Sequence, residues 1–188
     1  MGTIKTTNIQ SITGSGTVTI GQSGETIDIP SGVTFDSTGA TVTGALTNTP
    51  AFAARLTSNQ TISNNSVTKL AFATEDLDTN SAYDTSNYRF TVPSGQAGTY
   101  VITLNTGANS GNDFEPMYGV IRVNGTDRQY GYGRNEYYDI RNLTRQLELS
   151  VGDYVEAFIY QNSGGNVTIA ADDPSAPVNN FSGYKLIR

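Results

Sequence analysis

The sequence predicts an all-β protein, an antiparallel sandwich of about ten strands preceded by a short β-rich segment. Three observations carry the prediction. Beyond position 50 the chain falls into short runs rich in β-branched and aromatic residues, and Gly, Asn, Asp, Ser and Pro separate those runs at close intervals. No stretch shows the apolar period of an amphipathic helix.

Taken in order, residues 3–44 contain the alternating runs Thr17-Val18-Thr19-Ile20, Thr26-Ile27-Asp28-Ile29, Val33-Thr34-Phe35 and Ala40-Thr41-Val42-Thr43. Turn residues lie between them, notably Gly14-Ser15-Gly16 and Pro30-Ser31-Gly32, so three- and four-residue strands with tight corners are expected. The spacing is solenoid- or shaft-like, each strand burying one or two side chains against a neighbouring coil or chain. Only Val18, Ile20, Ile27, Ile29, Val33, Phe35 and Val42 could form a core, too few for independent folding, so partners are expected. A flexible Gly/Ser/Thr leader is the alternative.

Gly44 to Pro50 reads as a linker, and the aromatic content rises after it, dividing the chain into a segment 1–47 and a domain 48–188. Strands are expected at 51–57, 67–72, 87–92, 99–106, 117–123, 128–132, 143–149, 154–160, 167–170 and 181–187. So many short strands in one domain indicate a jelly roll. Asn124-Gly125 supplies the positive φ angles of a two-residue hairpin turn, Gly152-Asp153 introduces another strand, and Pro93 ends one because it has no amide proton to donate. Phe52, Phe90, Tyr100, Val155, Phe181 and Leu186 are expected in the core.

Composition narrows the function. Charged residues make up 15% of the chain and the formal net charge is −6, which disfavours the clustered cations needed to grip a phosphate backbone, so no nucleic-acid partner is expected. With no Cys and no His, thiolate nucleophiles, disulfides, most zinc sites and the usual neutral-pH general base are excluded, and an enzyme is not expected. The start of the chain shows no apolar signal core and no long apolar run follows, so synthesis in a cytoplasm without membrane insertion is expected.

Six motifs in the second domain resemble, in the same order, the globular head of complement component 1q and, through it, the tumour necrosis factor superfamily. They are Pro50-Ala51-Phe52-Ala53-Ala54-Arg55; Ala82-Tyr83-Asp84 with Tyr88-Arg89-Phe90-Thr91-Val92-Pro93; Ala97-Gly98-Thr99-Tyr100; Val123-Asn124-Gly125; Leu147-Glu148-Leu149 with Val151-Gly152-Asp153-Tyr154-Val155; and Phe181-Ser182-Gly183-Tyr184-Lys185-Leu186. The resemblance implies a jelly roll that forms a homotrimer through one sheet face. Tyr118, Tyr154, Phe158 and Tyr160 are expected at that interface, because they exceed what one sandwich core needs.

Arg128-Gln129-Tyr130-Gly131-Tyr132-Gly133-Arg134 and the following Tyr137, Tyr138 and Arg141 interleave aromatic and guanidinium groups as recognition surfaces do. Tyr130, Tyr132, Arg134, Tyr137, Tyr138 and Arg141 are therefore candidate contacts to a protein or to sugar rings, with plain strand residues as the alternative. Glu75, Asp76, Asp78, Asp172 and Asp173 offer oxygen ligands to calcium, but their spacing matches no loop motif, and no cofactor is expected. Residues 12–33 resemble the openings of tail-fibre and head-decoration proteins of marine bacteriophages. That resemblance implies a virion protein assembled in the bacterial cytoplasm, attached to other virion proteins through residues 1–47 and presenting its jelly roll to the host surface or the capsid. A secreted or surface bacterial adhesin with a complement-type head is the alternative.

Overall fold

The computed structural model describes residues 19, 20, 22, 25–34, 36, 38, 48–108, 117–132, 139–172 and 179–187. The chain divides into two units, Met1–Thr43 and Gly44–Arg188.

In the first unit the described residues form turns and no strand. The Val33 amide donates to the Pro30 carbonyl at 3.1 Å, closing a turn in which Gly32 has φ 85°. The Gln22 amide donates to Glu25 Oε2 at 2.7 Å while the Glu25 amide returns to the Gln22 carbonyl. The strand expected at Thr26–Ile29 is not formed in the single chain. A strand exists only where a second backbone pairs with it, and alternation specifies a face without supplying a partner. Ile20, Ile27, Ile29 and Val33 are all exposed, at 43% to 64%. Thr19, Ile20, Val33 and Thr34 of the neighbouring expected strands are likewise not in strands, while Thr17, Val18, Phe35 and residues 40–43 lie outside the described residues.

The second unit carries thirteen strands among the described residues: β1 (Ala51–Arg55), β2 (Gln60–Ile62), β3 (Ser66–Lys69), β4 (Thr74–Asp78), β5 (Tyr83–Asp84), β6 (Arg89–Thr91), β7 (Gly98–Ala108), β8 (Met117–Val123), β9 (Thr126–Tyr132), β10 (Asp139–Leu149), β11 (Tyr154–Gln161), β12 (Val167–Ile169) and β13 (Asn180–Lys185). One sheet has the order β10-β7-β13-β1-β4; the other has β5-β6-β11-β8-β9, with β3 also pairing β11; β2 and β12 pair by themselves. Every pairing is antiparallel. The sequence misses β2, β4 and β5. Each is short, and β4 and β5 pair on one side only, so neither needs the alternation that announces a strand.

Aromatic rings join the two sheets. Phe52 of β1 stacks on Phe90 of β6 at 4.7 Å and meets Phe181 of β13 edge-on at 5.0 Å; Tyr83 of β5 and Tyr100 of β7 close the cluster. Such pairs contribute about 0.5–1.5 kcal/mol each beyond the area they bury. The Tyr83 hydroxyl donates to the Phe72 carbonyl at 2.9 Å in a buried site. Phe52, Phe90, Tyr100, Val155 and Phe181 are at most 2% exposed. Leu186 differs from expectation: it lies just past β13 and is half-buried, its amide donating to the Thr99 carbonyl at 2.8 Å. The inward positions of β13 are Phe181 and Gly183, so Leu186 falls in the outward phase shared by Ser182 and Tyr184, one residue past the strand's end.

Two amides fasten the small sheet. Gln161, 0% exposed, donates from Nε2 to the carbonyls of Ile62 and Gly165 and accepts from the Ser163 amide. Gln60 donates to the Lys69 carbonyl and accepts from the Ala71 amide.

Candidate functional site

Alternation along β11 turns Val155, Ala157, Ile159 and Gln161 inward and Tyr154, Glu156, Phe158 and Tyr160 outward. In register, Tyr160, Phe158 and Glu156 face Tyr118, Val120 and Arg122 of β8 on one side, and Tyr160 and Phe158 face Val67 and Lys69 of β3 on the other. On β9, Tyr132 and Tyr130 stand opposite Tyr118 and Val120. A register shift between Ile121 and Arg122 then brings Asp127 opposite Arg122. One extra residue in β9 thus puts a carboxylate beside a guanidinium on the same face.

The side chains of this face form an interlocked layer. Tyr118 stacks on Tyr160 at 4.7 Å, and Tyr130 meets Tyr118 edge-on at 5.5 Å. Arg122 Cζ sits 4.1 Å from the centre of the Phe158 ring and its Nε donates to Asp127 Oδ1. The Tyr130 hydroxyl donates to Asp127 Oδ2 at 2.7 Å, the Tyr160 hydroxyl to Asn65 Oδ1 at 2.8 Å, and Lys69 Nζ to Glu156 Oε1 at 2.5 Å. The bond from Arg122, helped by the Tyr130 hydroxyl, holds the Asp127 carboxyl below the usual carboxylate range. Val120 is 0% exposed although it points outward, sealed beneath its ring-bearing neighbours.

The outward face of the other sheet is built differently. Its register rows are Ala51–Tyr184–Val101–Gln146, then Leu77–Ala53–Ser182–Thr103–Thr144, then Arg55–Asn180–Asn105–Asn142. The last row is a ladder of amides, with Asn142 Nδ2 donating to Asn105 Oδ1 at 2.6 Å and Asn105 Nδ2 to Asn180 Oδ1 at 3.0 Å. Thr103 and Thr144 hydroxyls are 3.0 Å apart. Small side chains keep this face low, and Leu77 and Tyr184 are 49% and 40% exposed on it.

The structure brings together residues that the sequence placed in separate roles. Tyr130, a candidate contact, shares one face with Tyr118, Phe158 and Tyr160, the expected interface residues. Tyr154 lies on the same sheet, with Arg89 Cζ 4.9 Å from its ring centre. Tyr132 is placed by its backbone in β9, and Arg141 falls in β10, a strand of the other sheet. Arg134, Tyr137 and Tyr138 lie outside the described residues. Sequence reasoning missed Asn65, Val67, Lys69, Arg122, Asp127 and Glu156. The pair Arg122 and Asp127 was detectable, because they flank the Asn124-Gly125 hairpin.

Three of the five acidic residues, Asp76, Asp78 and Asp172, are engaged locally. Asp76 pairs with Arg55 at 2.8 Å, and the Asp78 carboxylate accepts the amides of Asn80, Ala82 and Tyr83. Asp172 accepts the Asn179 amide at 2.8 Å, and Asp173 is outside the described residues. Among the described residues no group of three or more His, Cys, Asp or Glu side chains is gathered as a metal would require, and no helix is long and apolar enough to cross a membrane.

The two sheets and their order define the second unit as a jelly roll of the complement 1q and tumour necrosis factor type. The chain is similar to the globular domain of zebrafish complement 1qA protein, with TM-score 0.51 and 16% identity over 74% of this chain and 98% of that one. It is similar to murine APRIL, with TM-score 0.54 and 12% identity over 72% and 98%. Eiger TNF from S. frugiperda gives TM-score 0.50 and 11% identity over 73% and 94%. No family model and no curated protein matches the chain.

Proposed function

We propose that this chain is a structural virion protein of a bacteriophage, a homotrimeric fibre or capsid-decoration protein anchored by residues 1–47. Its jelly roll is the presented head, for attachment to the host surface or stabilisation of the capsid. The observation that carries this reading is the outward face of the five-stranded sheet. Rows of Ala, Ser, Thr and Asn leave Leu77, Val101 and Tyr184 standing on a low surface, a shape suited to close packing of one sheet on another copy. This supports a subunit contact on that sheet rather than through Tyr118, Tyr154, Phe158 and Tyr160, of which Tyr118, Phe158 and Tyr160 are packed on one another or on polar partners of their own chain. The exposed Ile20, Ile27, Ile29 and Val33 of the first unit support an anchoring role, since apolar side chains left uncovered in one chain are available to another.

Sedimentation of the full chain tests the reading. A trimer mass is expected, together with a copy number per purified phage particle that is a multiple of three. A monomer at micromolar concentration, or absence from the particle, overturns it.

A further inference from the structure

We propose that the outward face of the β3-β11-β8-β9 region binds neutral carbohydrate, with Tyr130 as the ring on which a sugar stacks. The inference deepens the host-attachment reading above and rests on it, because it needs a head whose second sheet faces away from the subunit contact.

Three features specify the ligand class. The first is a ring held in place: Tyr130 is 43% exposed, propped edge-on against Tyr118 and tied by its hydroxyl to Asp127, while Tyr118 is itself stacked on Tyr160. A ring fixed by its own chain loses little conformational freedom when a ligand covers it. The second is closed charge. Lys69 is paired with Glu156 and Arg122 with Asp127, so these two cations of the face are already neutralised within the chain, and the net charge of −6 opposes binding of a sulfate, phosphate or uronate further. The third is a polar rim. Asp127, Asn65 and the hydroxyls of Tyr130 and Tyr160 place acceptors and donors around the rings, as polyhydroxylic ligands require.

A protein partner fits less well. Among the described residues, Tyr130 and Val67 are the large apolar side chains of this face that exceed 40% exposure. Two such side chains fall well short of the roughly 800 Å² per partner that a stable protein interface covers. A sugar ring needs one aromatic platform and a few hydrogen bonds.

Affinity electrophoresis of the full chain in native gels containing dextran, galactomannan, laminarin or xyloglucan, with alginate and chondroitin sulfate as anionic comparators, tests the proposal. Retardation by at least one neutral polysaccharide is expected, unchanged in about 0.5 M NaCl because no ion pair with the ligand is formed. Tyr130→Ala is expected to weaken it about tenfold or more, the size seen when an aromatic anchor is truncated. Tyr130→Phe keeps the stacking plane and is expected to retain most of the binding, and Val151→Ala, in the exposed turn before β11, all of it. Retardation by none of the neutral polymers, retardation only by the anionic ones, or undiminished binding by a Tyr130→Ala protein with native melting temperature overturns the proposal. Host cells that still bind the Tyr130→Ala protein at full strength refute the carbohydrate face and leave host attachment standing. Absence of the chain from purified particles refutes the virion reading while leaving binding to the polysaccharide intact.

Discussion

Gly183 stands directly across from Phe52 in the β1–β13 register, and a β-carbon at Gly183 would fall 2.8 Å from Phe52 Cε1. The same carbon would lie 2.6 Å from Ile102 Cδ1 and 2.9 Å from the Val101 carbonyl oxygen, a backbone atom fixed in the sheet. Gly183 is thus the place where the aromatic cluster comes down onto bare backbone.

Gly183→Ala is therefore expected to destabilise the fold by about 1–3 kcal/mol through overpacking. Thermal unfolding should show a fall of about 2–4 °C for each kcal/mol. An unchanged melting temperature would mean that β13 shifts freely, contrary to its pairing on both edges.

Gln161→Leu removes an amide that satisfies the carbonyls of Ile62 and Gly165 and the amide of Ser163 inside a closed site. Leaving those groups without partners is expected to cost about 1–3 kcal/mol. Urea denaturation gives the magnitude, and amide hydrogen exchange at Ser163 should accelerate more than exchange in β7. Equal protection at Ser163 in the two proteins would show that the amide does not hold the loop.

Stability is expected to be level across neutral pH and to fall at both extremes. The side chain of Asn87 lowers the Asp84 pKa, that of Arg122 lowers the Asp127 pKa, and that of Asn124 lowers the Asp153 pKa, with the Ser150 amide adding to the last. A depressed folded pKa contributes stability above the unfolded value of about 4 that is lost as pH falls through the folded value. Burial acts in the opposite direction on two phenols, raising Tyr83 strongly and pushing Tyr100 up to about 12. A raised folded pKa contributes stability that is complete below about pH 10 and lost as pH rises through the folded value. With no His in the chain, urea midpoints between about pH 5 and 9 should coincide. Asp153→Asn should make the acid limb shallower and Tyr83→Phe the alkaline limb; a midpoint that moves within the neutral range would contradict this assignment of groups.

Thr103→Arg places a long cation at the centre of the low face of the five-stranded sheet, beside Ser182 and Thr144. It is expected to turn the proposed trimer into monomer while the circular dichroism of the strands persists. Phe158→Ala, on the other sheet, is expected to leave the trimer mass unchanged. The reverse pattern would return the interface to the aromatic face.

Much of the fold was legible because strand alternation is a local signal. In β11 the period of two fixes which side chains point inward, and Asn124-Gly125 announces its hairpin, where the two residues have φ 52° and 75°. The short strands β2, β4 and β5 were not legible, since what makes them strands is a neighbour rather than a pattern. Leu186 was misplaced because its apolar character was read without the phase of β13, which turns Phe181 and Gly183 inward and the even-numbered residues outward.

The site was legible only in pieces. Sequence alone determined an all-β chain of jelly-roll type, poor in charge, without His or Cys, with an aromatic surplus around positions 118, 154, 158 and 160. Tertiary structure decided that Tyr118, Phe158 and Tyr160 share one face with Tyr130, that Arg122 and Lys69 are neutralised there by Asp127 and Glu156, and that the other sheet carries a separate face of small and amide side chains. The division has a physical cause. Inward or outward direction follows from each strand's own period, whereas the identity of a cross-strand neighbour depends on register between segments distant in sequence, which is set when the whole sandwich closes.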